Sequence, residues 1–148
     1  MATPHAPTPT STRDGFVKTR SDHATETFED YVEAIEEIAE RDGVCRVRDL
    51  ALSMRVSHVT VVRIVRRIAQ AGLATKERHG PISLTPSGRR MARASRERHA
   101  TVLAFLESIG VPAADAVRDA EGIEHHVGAR TLAAMRGVLG GRRALARR

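Results

Sequence analysis

The chain has 148 residues, enough for one ordinary domain or two small ones that lean on each other, and 41% of them are apolar. Only Phe16, Phe28, Tyr31 and Phe105 are aromatic, Cys45 is the lone cysteine, and neither a bilayer-spanning run nor a secretory leader is present, which excludes membrane, secreted and disulfide-built classes and leaves a soluble cytoplasmic protein rich in helix formers. The net charge of +6 hides a segregation, because residues 26–40 carry acids without a single Lys or Arg, whereas residues 46–70 carry six Arg against Asp49 alone.

Residues 1–23, with Pro4, Pro7 and Pro9 among many Thr and Ser, read as a disordered tail. From about 25 to 41 the positions Phe28, Tyr31, Val32, Ile35, Ile38 and Ala39 recur at helical spacing, and Gly43 ends that helix. A short helix is predicted over about 47–54, then a tight turn, then a longer helix capped by Ser57 that runs to about Gln70 and stops at Gly72. In the latter Val61, Ile64, Val65 and Ile68 face inward, and Leu50, Ala51, Val56, Val61 and Val65 form the small core where the two helices cross. Residues 73–85 read as a hairpin turning at His79-Gly80-Pro81. Thr85-Pro86 restarts a long helix to about Ile109, with Val102, Leu103, Phe105, Leu106 and Ile109 on its buried side. Two further helices follow, at about 112–126 and 129–139, before a frayed Gly140-Gly141 pair and a basic end.

Three helices followed by a hairpin is the order of a winged helix-turn-helix, whose third helix enters a major groove. The fold class expected is therefore mainly α: a winged helix-turn-helix domain at 24–86, an all-helical domain at 87–140, and a basic tail at 141–148. Ser57, His58, Thr60 and Arg63 lie near the start of the recognition helix, within reach of base edges. Arg66 and Arg67 sit further along, better placed for phosphates, and Arg48 and the wing residues Arg78 and His79 are further backbone contacts. The plain alternative is that these bases form a solvated face.

A second pattern lies outside the recognition helix. Glu121, Glu124 and His125 stand at i, i+3 and i+4, so they share one face of a helix, and Asp30 and Glu33 share a face of the first helix. His99 falls on the inward side of the long helix. Four carboxylates gathered together would repel one another unless a cation held them, and oxygen and nitrogen donors without thiolate suit Mn(II). Each piece alone also has an ordinary explanation, as a solvated acidic face, a core histidine or a surface histidine pair, and spacing does not by itself bring three helices together.

Asp-Tyr-Val-Glu at 30–33, Arg-Glu-Arg-His at 96–99 and Asp-Ala-Glu-Gly-Ile-Glu-His-His at 119–126 resemble the diphtheria toxin repressor (DtxR) family in its manganese-sensing branch, over about residues 25–139. The resemblance implies metal ligands at Asp30, Glu33, His99, Glu121, Glu124 and His125, two Mn(II) ions per subunit sharing carboxylates, and a homodimer built through the C-terminal helices. It also implies repression of metal-uptake genes by metal-loaded protein bound to double-stranded operator DNA, with no enzymatic activity and no small-molecule substrate. Iron-sensing relatives carry a sulfur residue where this chain has Glu121, which favours Mn(II) and leaves Fe(II) as the alternative signal. Outside the family, a metal-independent DNA-binding protein is the stronger rival and a two-metal hydrolase the weaker, since no HExxH, nucleophile elbow or phosphate loop is present. His126 matches the motif without being a ligand, and a supporting or capping role is expected of it.

Overall fold

The computed structural model describes residues 12–145, with side chains described over residues 25–141. The order is α1 (Thr12–Asp42), α2 (Val47–Ser53), α3 (His58–Gln70), β1 (Ala74–Lys76), β2 (Ile82–Leu84), α4 (Pro86–Ser108), α5 (Ala113–Ile123), a 3₁₀ turn (Glu124–His126) and α6 (Ala129–Leu145). It is a mainly helical chain with one small antiparallel hairpin, as the hydrophobic pattern predicts.

The N-terminal core forms because α1 presents Tyr31, Val32, Ile35 and Ile38 on one side, all at most 3% exposed. Against them pack Leu50 of α2, Val61, Val65 and Ile68 of α3, Ile82 and Leu84 of the hairpin, and Ala92 of α4. Each large aliphatic side chain removed from water in this way contributes about 1.5–3 kcal/mol. Gly43, at φ +81°, ends the turn after α1, and Asp49 Oδ2 accepts from the Arg46 amide at 2.9 Å to start α2. Arg55, at φ +53°, takes the left-handed conformation of the α2–α3 turn despite its side chain. Ser57 caps α3 by accepting from the Thr60 amide at 3.1 Å.

The hairpin pairs Ala74 with Leu84, Thr75 with Ser83 and Lys76 with Ile82. The Ile82 amide also donates to the Cys45 carbonyl at 2.8 Å, which pins the wing to the loop before α2. Thr85 both accepts from the Gly88 amide at 3.1 Å and donates its hydroxyl to the Gly72 carbonyl at 2.7 Å, so the end of α3 and the start of α4 are tied together. Gly88 is required there: a Cβ would collide with the Leu73 carbonyl. From this anchor α4 runs back along α1, joined by Arg96 Nη2 to Glu36 Oε2 at 3.0 Å and by Arg98 Nη2 to Glu29 Oε2 at 2.6 Å.

Five boundaries or faces differ from the sequence reading. α1 starts at Thr12, not near residue 25, because extending a helix already nucleated adds one hydrogen bond per residue fixed and no proline follows Pro9 to stop it. Residues 1–11 of the expected tail lie outside the described residues. α5 ends at Ile123, so Glu124 and His125 sit on the 3₁₀ turn and not on the same α-helix as Glu121. α6 continues through Gly140-Gly141 to Leu145, since two glycines weaken a helix without blocking its hydrogen bonds; residues 146–148 of the basic end lie outside the described residues. Of the expected buried side of α4 only Val102 is fully buried, with Leu103, Phe105 and Leu106 half-buried and Ile109 54% exposed. Val56, expected in the helix-crossing core, is exposed at the turn.

Candidate functional site

All six residues singled out as metal donors line one open cleft of about 600 Å³. α1 contributes Asp30 and Glu33, α4 contributes His99, α5 contributes Glu121, and the 3₁₀ turn contributes Glu124 and His125. The same wall holds Ala34, Glu37, Ser53 and Met54. The cleft is thus bounded by both halves of the chain, by the helix-turn-helix through α1 and the end of α2, and by the helical half through α4, α5 and the 3₁₀ turn.

Within the cleft Asp30, His99, Glu124 and His125 are paired with one another. His99 Nδ1 lies 2.6 Å from Glu124 Oε2, and His125 Nε2 lies 3.4 Å from both Asp30 Oδ1 and Glu124 Oε1. Among the described residues no three His, Cys, Asp or Glu side chains form a ready-made cage for an ion. Ligation would exchange these mutual contacts for bonds to a cation. The electrostatics favour that exchange. Burial foremost raises the pKa of Glu124, against the lowering effect of His99 and His125, and its side chain is only 8% exposed. Partial desolvation also raises Asp30, countered by His125 and reinforced by Glu29, Glu33 and Glu26. Carboxylates that ionise reluctantly beside one another are relieved by a divalent cation, and the donor set of carboxylate oxygen and imidazole nitrogen fits Mn(II) or Fe(II). The thioether of Met54 packs against the hydrophobic core.

The sequence reading missed Glu37, which stands four residues beyond Glu33 on α1 and could have been found by that spacing. It also passed over Glu29 and Arg98, each immediately before a named donor, because their value depends on a contact between helices. His126 is not part of the cleft wall and is exposed, with Nδ1 3.6 Å from Glu26 Oε1.

The second site is a basic cleft between α2, α3 and the hairpin, lined by Arg46, Arg48, His58, Lys76, Arg78 and His79 among others. Arg46 and Lys76 were not singled out from the sequence, since only the folding of the hairpin against α2 and α3 brings them to this cleft. Ser57 Oγ and Thr60 Oγ1 are 2.8 Å apart and partly occupied with capping, whereas Arg63 and Arg66 are exposed along α3. Arg67 stands with its guanidinium 5.4 Å from the centroid of the Phe28 ring, so it links α3 to α1. Cys45 is fully buried, and burial pushes its thiol up to about 12, which disfavours the thiolate.

Residues 85–143 match the family model described as the iron dependent repressor, metal binding and dimerisation domain. The transcriptional regulator MntR of Escherichia coli O6:H1 is 41% identical over 123 residues, covering 83% of this chain and 79% of that protein. The HTH-type transcriptional regulator MntR of Listeria welshimeri is 36% identical over 103 residues, covering 70% of this chain and 72% of that one. A manganese-dependent transcriptional repressor solved in complex with manganese superposes with a TM-score of 0.64 at 31% identity, covering 76% of this chain. This chain spans about half of that structure's length, 52%.

Proposed function

The chain belongs to the manganese transport regulator (MntR) branch of the DtxR family of metal-dependent transcriptional regulators, and from that premise we propose that it is a Mn(II)-responsive repressor which binds operator DNA of metal-uptake genes as a cytoplasmic homodimer. The observation that carries the reading is the shared cleft, whose six carboxylate and imidazole side chains come from both halves of the chain. Asp30, Glu33, His99, Glu121, Glu124 and His125 would hold two ions. The bound metal supplies concentrated positive charge that fixes donors from different helices relative to one another.

The rest follows from where the residues sit. Asp30 and Glu33 ride on α1, whose opposite side carries the core that seats α2 and α3. Restraining these carboxylates against Glu121, Glu124 and His125 restrains the recognition helix relative to the helical half. That half presents Ile109, Val117, Ile123 and Val138 to solvent at 54%, 45%, 38% and 43%, apolar side chains suited to a second copy of the chain. A two-fold dimer must fit half-sites one helical turn apart, so fixing the two recognition helices beforehand favours DNA binding. Coupling of this kind amounts to about 1–3 kcal/mol, or roughly 5- to 150-fold in operator affinity. Arg63, His58 and Thr60 would then read bases, with Arg46, Arg48, Lys76, Arg78 and His79 on phosphates beside Arg66.

The test is binding to DNA upstream of its own gene and of neighbouring transporter genes, with Mn(II), Fe(II) or chelator. Tight binding with Mn(II) that chelator abolishes is expected. Equal binding in all three arms would leave a metal-independent DNA-binding protein, and activation by Fe(II) alone would make iron the signal. Metal analysis of the loaded protein checks the two-ion count.

A further inference from the structure

His125 is held at both ring nitrogens. Its Nε2 faces Asp30 Oδ1 and Glu124 Oε1, each at 3.4 Å, on the cleft side. Its Nδ1 lies 3.2 Å from Oε2 of Glu29, a residue that is not part of the cleft wall. The same Glu29 oxygen lies 2.6 Å from Arg98 Nη2. All three side chains are largely withdrawn from water, at 13% exposure for Glu29, 14% for His125 and 21% for Arg98.

These contacts determine which nitrogen can serve as a ligand. The hydrogen bond of His125 is the one at Nδ1, where Glu29 Oε2, already paired with Arg98 Nη2, is placed to accept, and this geometry favours the ring proton on Nδ1. With the proton on Nδ1, the free lone pair belongs to Nε2, which already points between two oxygens of the cleft. Arg98 holds the Glu29 carboxylate in place at 2.6 Å, and the clamp joins α1, α4 and the 3₁₀ turn through residues adjacent to Asp30 and His99. We propose that Glu29, clamped by Arg98, is a positioning residue that fixes the tautomer and ring orientation of His125, so that Nε2 is the nitrogen presented to the metal. This rests on the reading of the cleft as a metal centre. Outer carboxylates that orient a ligating imidazole change metal affinity by roughly 10- to 100-fold when removed.

The experiment compares the full-length wild type with Glu29→Ala and Glu29→Gln. Mn(II) affinity is measured by calorimetry, and imidazole nitrogen NMR is recorded on the Cd(II)-loaded protein, cadmium being a diamagnetic probe. In the wild type the cadmium–nitrogen coupling is expected on Nε2 of His125, with the ring proton on Nδ1. Glu29→Ala should weaken Mn(II) binding by roughly 10- to 100-fold and scramble the ligating nitrogen. Glu29→Gln, which keeps an acceptor oxygen, should fall between the two. Coupling on Nδ1 in the wild type, or unchanged Mn(II) affinity in Glu29→Ala, overturns the proposal. Should Glu29→Ala fail to fold, the wild-type spectrum alone decides. If the wild type binds neither Mn(II) nor Cd(II), the metal centre itself falls, and this inference with it.

Discussion

Glu124→Gln separates folding from metal binding at a single atom. The side chain is 8% exposed, its Oε2 lies 2.6 Å from His99 Nδ1, and its Oε1 lies 3.4 Å from His125 Nε2. Because burial raises its pKa, ionised Glu124 counts against the metal-free fold. That penalty is present above the raised pKa and disappears as pH falls through it, since the folded state holds the proton more tightly than the unfolded one. Glutamine preserves shape and an acceptor for His99 while removing the charge, so metal-free stability should stay within about 1 kcal/mol of the wild type. Any gain over the wild type should be largest at neutral pH and shrink on acidification. With Mn(II) the order reverses. At a hundred times its Kd, a bound ion stabilises the wild type by about 2.7 kcal/mol. At about 2–4 °C per kcal/mol for a chain of this size, that raises Tm by roughly 5–11 °C. A variant whose site is about a hundredfold weaker gains only ~0.4 kcal/mol at the same Mn(II), roughly 1–2 °C. Thermal melts of both proteins with and without Mn(II) measure this. A variant with the full Mn(II)-induced shift would refute the assignment of Glu124, and one that is grossly destabilised without metal would refute the account of its burial.

Three further outcomes are expected. Glu121→Cys supplies a thiolate to the cleft and should move the metal ranking in operator binding from Mn(II) towards Fe(II) or Co(II), because softer donors favour later metals; an unchanged ranking in parallel titrations contradicts the placing of Glu121. Arg46→Ala removes a base from the cleft between α2, α3 and the wing, and should weaken binding to all DNA sequences alike while reducing the salt slope by about 1, measured by anisotropy over a salt series. Cys45, fully buried and with its thiol pushed up to about 12, should resist alkylation at pH 8 in the folded protein and react once denaturant is added, as mass spectrometry would record.

The helix-turn-helix was legible because its signals are local. Ser57, Thr85-Pro86, Gly43 and Gly72 each act within a turn of their own backbone, and the structure uses all four as caps or stops. The limits of α1 and α6 were less legible, since they depend on propagation from a packed segment and not on a stop signal. The proposed metal donors divide in the same way. Asp30 with Glu33, and Glu121 with Glu124 and His125, were visible as spacings, but the break of α5 at Ile123 shows that the second trio reaches the cleft by a change of helix type. Glu29 and Arg98 had no periodic signature at all, because their pairing at 2.6 Å is a product of α1 lying along α4. The exposed Ile109 follows from the same distinction: its helical spacing marks an apolar face, and what covers that face is another matter.

The most direct measurement is a crystal structure of the Mn(II)-loaded protein with anomalous scattering collected at the manganese edge. The account predicts anomalous peaks between α1 and the α5–3₁₀ segment, bonded to Asp30, Glu33, His99, Glu121, Glu124 and His125. Peaks elsewhere, or bonded to residues of one half alone, would contradict it.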